Sequence, residues 1–290
     1  MKDREPTIRS RELGDGLRQA MEGAGLKGNQ VARLLDLSPS LISRLLSGQR
    51  HATAVQVASF LALCRVWGTE RDRLLALCDD QHIPGWLQQH GPRLPPLVTL
   101  VDHENKALVI SDFEPTVVPG LLQTGDYTRA LLREARTVPE DKIDARVAAR
   151  LARQSLFNRD RPARFTFYVH EFVLRLPIGG PMVMADQLRH LRRMSLRPPL
   201  TLRVVPAARG GHAAINGAFK FMEFGEFKPV VYLESETSSL FLETPAEIEA
   251  YQRILACLAD AALGEEESRE LIATRATEFH ADREDHDDSA

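Results

Sequence analysis

The stretch "LSPSLISRLLSGQR", Leu37 to Arg50, sets small hydroxyls, apolar anchors, an arginine and a closing Gly48 side by side. Residues of these types can read DNA. Serine and arginine side chains meet base edges in a major groove, while cations and backbone amides hold phosphates. They also serve ordinary helical packing. Arg44 suits either guanine or phosphate, and its residue type leaves both open. Arg50, past Gly48, is better placed for phosphate, with Gln49 and His51 beside it.

Other chemically capable residues lie further along. Asp102-His103-Glu104, His170-Glu171 and His212 offer acids, bases and metal ligands. His170 and Glu171 fall in a strand pattern, where neighbours point to opposite faces, so they form a poor dyad. "DHE" lacks the HExxH spacing of a zinc site. "GGPMVMADQL" and "RGGH" lack the strand context and spacing of a phosphate loop and read as turns. Cys64, Cys78 and Cys257 form no close CxxC pair, which argues against a disulfide scaffold or a zinc ribbon. Cys64, in an apolar helical pattern, reads as a buried thiol. No catalytic residue, metal site or cofactor is expected, and the chain does not read as an enzyme.

The elements that must position these groups follow from periodicity and caps. "ELGDGLRQAMEGAG" places Leu13, Leu17 and Met21 on one side of a helix. "NQVARLLDL" and "SPSLISRLLSGQ" are two short helices joined through Asp36 and Leu37. Ser38 caps the second, and Pro39 occupies its first turn, where a missing N–H costs nothing. Val31, Leu35, Leu37, Ile42 and Leu45 can knit the two together, with small Ala32 at their approach, leaving Ser40, Leu41, Ser43 and Arg44 outward. "TAVQVASFLALCRVWG" and "TERDRLLALCDD" add two more helices, the last with Thr69 as its expected cap.

The fold class expected is therefore an N-terminal all-α bundle of five helices at residues 9–80, followed by an α+β domain at 99–279. Between them, 81–98 reads as a junction in which Trp86 and Leu87 are packed. Residues 280–290 read as an acidic disordered tail. The second domain mixes strand patterns ("KALVISDF", "ARFTFYVHEFVLRL", "LTLRVVPAA") with helices and a hairpin turning near Gly225. A last helix is capped by Thr244, and the strand order is not legible. Phe165, Phe167, Tyr168, Phe172, Phe219, Phe221, Phe224, Phe227 and Tyr232 suit either a sheet core or a small-molecule pocket. In "PGLLQTGDY", Gln123 and Tyr127 read as surface contacts of a turn that holds the domain together.

The net charge of −3 is unevenly spread. From Arg9 to Arg65 eight Lys/Arg face four Asp/Glu, a local +4; from Gly264 to Ala290 ten acids face three Arg, a local −7. The basic segment suits phosphate contact, since association responds to the local field. No apolar run approaches membrane-spanning length and no signal-peptide core opens the chain, so a cytoplasmic protein without a membrane partner is expected.

Residues 12 to 78 resemble the helix-turn-helix domain of the Cro/CI, or XRE, family of transcriptional regulators. "GLKGNQVARLLDLSPSLISRLLSGQR" matches that family's register: a Gly before helix two, an Ala within it, hydrophobic-Ser at the turn, then Ile-Ser-Arg and a closing Gly. The resemblance implies that Ser38 to Leu46 is the recognition helix, lying in the major groove of double-stranded DNA. It places Asn29 and Gln30 where members bind backbone. The implied DNA-binding set is Asn29, Gln30, Ser38, Ser40, Leu41, Ser43, Arg44, Gln49 and Arg50. Three positions depart from the pattern: Gly28 where many members have Gln, Leu46 where they have an acid, and Asp36 at the common Gly of the turn. Leu46 is expected to pack within the chain, not to meet a thymine methyl.

"VVPGLLQTGDYTRALL", "RLARQSLF", "HEFVLRLPIGGPMVMADQLRHL" and "GAFKFMEF...VVYLE" resemble the uncharacterised domain that follows such a helix-turn-helix in many actinomycete regulators. Some of these are described as antitoxin-like. The resemblance implies a regulator whose second domain modulates DNA binding; a homodimer is expected separately, because a two-fold operator asks for two helix-turn-helix copies and the sequence reads as having one. That domain would answer to a small partner protein from a neighbouring gene or to a small-molecule effector.

Overall fold

The computed structural model describes residues 5–78, 81–89, 97–160 and 162–287. Five helices open the chain: α1 (Ile8–Gly23), α2 (Gly28–Leu34), α3 (Pro39–Leu46), α4 (Ala54–Leu63) and α5 (Gly68–Ala76). Next come β1 (Trp86–Gln89), α6 (Val98–Lys106), β2 (Val109–Glu114), α7 (Gly125–Ala135) and α8 (Glu140–Ala152). β3 (Arg164–His170), α9 (Pro181–Met194), β4 (Leu200–Val205), β5 (Phe219–Glu223) and β6 (Val230–Glu234) follow. β7 (Ser238–Leu242), α10 (Pro245–Ala261) and α11 (Glu265–Asp287) complete the order. An all-helical bundle thus precedes a mixed α+β region, as the patterning requires.

The chain forms two compact units. The first takes residues 1–99 together with 226–230 and 237–248; the second takes 100–225, 231–236 and 249–290. In the first unit, Leu13, Leu17, Val31, Ala32, Ile42, Leu45, Val57, Phe60, Leu61 and Leu74 form one core. Cys64 joins it, and burial pushes its thiol pKa up. α1 begins four residues earlier than "ELGDGL" suggests, because Thr7 Oγ1 accepts from the Ser10 N–H at 3.2 Å and caps it there. α5 begins at Gly68, so Thr69 lies inside its first turn and is not the cap.

Within this unit β1 pairs antiparallel with β7, from Trp86 opposite Phe241 to Gln89 opposite Ser238. Part of the expected junction is therefore a strand, while His90–Pro96 lie outside the described residues. Trp86 packs its ring against Phe241, whereas Leu87 points to the other face and is exposed, as alternation demands. Just past β7, the Glu243 carboxylate accepts from the Ile8 N–H at 3.1 Å and the Gly85 N–H at 2.9 Å. It thus satisfies a donor at the positive end of α1.

In the second unit the strand order is β6-β5-β2-β3-β4. β2, β3 and β4 are parallel, and β5 lies antiparallel on β2. α9 is the crossover between β3 and β4, and α11 packs along it. The strand expected across "ARFTFYVHEFVLRL" stops at His170; Glu171–Leu174 form a 3-10 turn that carries Val173 and Leu174 into the core. α8 ends at Ala152 in a 3-10 segment, Arg153–Asn158, that turns Arg153, Leu156 and Phe157 inward. Thr244 caps α10 in a reciprocal box with Glu247, but α10 is not the last helix. α11 follows it and runs into the stretch expected as a disordered tail, whose last three residues lie outside the described ones.

The sheet also carries a buried ion network. Asp112 on β2 stands opposite Lys220 on β5, and the two pair at 3.0 Å. Lys220 Nζ also donates to Glu104 at 2.7 Å, and Arg153 clasps Glu104 through Nε and Nη2 at 3.0 and 2.7 Å. Burial alone would raise the Glu104 carboxyl, but Lys220 and Arg153 outweigh it and hold it at about 2.

Candidate nucleic-acid interface

α2 and α3 are short helices packed on one another, and the chain between them turns sharply. Asp36 takes φ 52°, the left-handed region that most side chains avoid and Asp tolerates. This explains why an Asp serves where glycine is common. The Leu37 N–H donates to the Ala32 carbonyl at 2.8 Å and closes the turn. Ser38 then caps α3, its Oγ accepting from the Leu41 N–H at 3.2 Å, and Pro39 fills the first turn.

The period of α3 sorts its faces. Ile42 and Leu45 are buried in the bundle, while Ser38, Ser40 and Ser43 are exposed and Leu41 and Arg44 half-buried. Arg44 Nε donates to the Ser40 carbonyl at 3.3 Å, which lays its guanidinium back along the outward face. The Ser38 and Ser40 hydroxyls lie 3.2 Å apart. Beyond the helix the Arg50 N–H donates to the Arg44 carbonyl at 3.2 Å, fixing Gln49 and Arg50 close behind. Asn29 and Gln30 are exposed on α2, and Gln30 Oε1 accepts from the Lys27 N–H at 2.8 Å. Leu46 is half-buried and packs against the core, whereas Leu34 is 60% exposed.

Behind this face stands α1. A Cβ at Gly14 would lie 2.5 Å from the Leu46 carbonyl oxygen, and one at Gly48, where φ is +73°, 2.9 Å from the Ser10 backbone. Backbone meets backbone at both points. Arg18 Nη2 adds a donor to the Leu46 carbonyl at 2.9 Å, closing the C-terminal end of α3. None of these supports is among the expected site residues. The signal for them was the pair of glycines in "ELGDGL", a costly choice inside a helix unless something approaches closely.

Two family models match. Residues 12–74 match a helix-turn-helix domain, and residues 97–274 match a domain of unknown function, DUF5753. The second match covers more than half of the chain. The chain belongs to that family. Its helix-turn-helix domain marks it as a DNA-binding protein of transcriptional regulation. No curated protein and no solved structure matches it.

The remaining candidates take structural places. Glu104 belongs to the ion network. Glu171 pairs with Arg175 and Arg275 and accepts from the Ala207 N–H. The His170 and His212 rings stack at 5.6 Å; burial first, and His170 second, push the His212 pKa down. Among the described residues no trio of His, Cys, Asp and Glu is placed to hold a metal ion. No described helix is long and apolar enough to cross a membrane.

Gln123 and Tyr127, expected at the surface, are both buried. Gln123 Nε2 donates to the Val118 carbonyl at 2.7 Å, and Tyr127 Oη accepts from the Val118 N–H at 3.1 Å. The turn needs these internal partners because its own backbone groups are shut away from water. Of the aromatic series, Phe165, Phe167, Tyr168, Phe219, Phe221 and Tyr232 are buried in the sheet core, while Phe172 is exposed.

Proposed function

We propose that α3 enters the major groove of the chain's own operator. Ser38, Ser40, Leu41, Ser43 and Arg44 then face base edges, while Asn29, Gln30, Gln49 and Arg50 hold the backbone. The observation that carries this reading is the sorting of α3 itself: Ile42 and Leu45 are spent on the core, while Ser40, Ser43 and the Arg44 guanidinium lie on one outward face. The chain acts as a homodimer, since it carries one such helix and a two-fold operator requires two. The second domain modulates binding through a small partner protein, and the regulator acts on its own operon.

A mobility shift on its own promoter against scrambled DNA, at fixed salt, tests this. A bidentate arginine–guanine contact is worth about 1–3 kcal/mol. Arg44→Ala is therefore expected to weaken operator binding about 5- to 150-fold and to leave scrambled DNA nearly unchanged. Arg50→Ala is expected to weaken both alike and to flatten the salt dependence. Equal losses for Arg44→Ala on both DNAs would overturn base reading and leave a phosphate contact.

A further inference from the structure

Gln81 lies outside the matched helix-turn-helix of residues 12–74, yet only 2% of it is exposed. Its side-chain amide is spent on main chain. Oε1 accepts from the Ala52 N–H at 3.0 Å, and Nε2 donates to the Ala52 carbonyl at 2.7 Å and to the Cys78 carbonyl at 2.8 Å. Ala52 is buried, so its N–H and its carbonyl both need partners. A carboxamide supplies the acceptor and the donor together.

Ala52 stands at the far end of the loop 47–53, which carries Gln49 and Arg50 from α3 to α4. Both ends of that loop lean on the start of α1. At the near end Gly48 meets the Ser10 backbone and leaves no room for a Cβ. At the far end Gln81 passes the restraint on, because Thr7 Oγ1 donates to the Gln81 carbonyl at 2.5 Å. The start of α1 is itself held by residues of the second matched domain. Glu243 accepts from the Ile8 N–H, and the Phe227 ring lies 4.3 Å from the Arg11 guanidinium. Between these supports Arg50 is half-buried, and its side chain enters no ion pair among the described residues.

We propose that Gln81 is a positioning residue for DNA binding: through Ala52 it holds the loop 47–53 in the shape that meets the phosphate backbone. This rests on the reading above that Gln49 and Arg50 hold that backbone, and it adds a residue from beyond the helix-turn-helix on which the contact depends. An amide suits the task, since it fixes main chain without bringing a charge that would repel phosphate. Its hydrogen bonds leave the outward face of α3 alone, so its loss falls on phosphate contact and not on sequence choice.

The full chain is titrated onto operator and onto scrambled DNA over a range of salt, with tryptophan fluorescence showing that the first unit is folded at the assay temperature. Each phosphate contact contributes about 0.9 to the slope of log K against log salt. Gln81→Met, which keeps the bulk and removes the amide, is expected to weaken both DNAs alike and to flatten the slope by about 0.9. Placed on Arg50→Ala, it should weaken binding by less than about twofold more, because both changes remove one contact. If Gln81→Met does not fold, Gln81→Asn, whose amide falls one methylene short, takes its place with the same shift expected. A folded Gln81 variant with the wild-type slope overturns the proposal. Where Arg50→Ala flattens the slope, losses that add fully to it overturn the proposal as well. Arg50→Ala with the wild-type slope would remove Arg50 from the phosphate set; the loop's role then stands if the Gln81 variant flattens the slope and falls if it does not.

Discussion

Gly14 and Gly23 lie in the same helix and should respond oppositely to the same substitution. Alanine at Gly14 puts a Cβ 2.5 Å from the Leu46 carbonyl oxygen and 3.0 Å from that of Leu45. Ordinary contact lies near 3.4 Å, so α1 must retreat from α3 by roughly 0.9 Å. No side chain can rotate away, because the obstacle is backbone that Arg18 also holds. Overpacking of this kind costs about 1–3 kcal/mol. Removing a glycine from a helix returns about 0.5–1 kcal/mol, leaving a net loss centred on about 1 kcal/mol and reaching about 2.5 kcal/mol. At Gly23 nothing lies within 4 Å of the new Cβ, so only the propensity term acts and Gly23→Ala should stabilise by about 0.5–1 kcal/mol. Both tryptophans, Trp67 and Trp86, belong to the first unit, so their fluorescence during urea unfolding reports on it directly. The urea midpoint should fall for Gly14→Ala and rise for Gly23→Ala. If both variants move the same way, the close approach of α1 and α3 is not what Gly14 serves.

Two further outcomes follow from buried charges. Glu104, held at about 2 against an ordinary value of 4.5, contributes stability that is present above pH 4.5 and lost as pH falls through 4.5 toward 2. Glu104→Gln leaves Arg153 buried without its carboxylate and Lys220 with Asp112 alone, and should cost about 3–5 kcal/mol at neutral pH. The gap between variant and wild type should close toward pH 2, as followed by far-UV dichroism in urea; a gap independent of pH would show that the carboxylate's charge is not what matters. Glu243→Gln should destabilise the first unit by about 1–3 kcal/mol, because an amide replaces the carboxylate that accepts from both Ile8 and Gly85. Tryptophan fluorescence in urea checks this, and an unchanged midpoint would dismiss the clamp.

Much of the first unit was legible because its determinants are local. Apolar residues recur at helical spacing, Ser38 sits one residue before Pro39, and Gly48 closes the stretch; each acts within a few positions of itself. The outward set on α3 follows from the same arithmetic, once Ile42 and Leu45 are assigned inward. Sorting by period fails where a turn replaces a regular element. Thr69 has the residue type of a cap, yet the left-handed Gly68 already opens α5 before it. His170 and Glu171 read as one strand, yet the chain leaves the sheet between them.

By itself the sequence determined the helical bundle, the α+β character of the remainder and the face of α3 turned away from the core. Only tertiary structure decided which distant residues meet. Glu243 reaches Ile8 across 235 positions, Lys220 reaches Glu104 across 116, and Gly14 abuts Leu46 by backbone alone. Periodicity describes which way a side chain points from its own element. It carries no term for the neighbour on the other side, which is chosen by packing the whole chain into two cores at once.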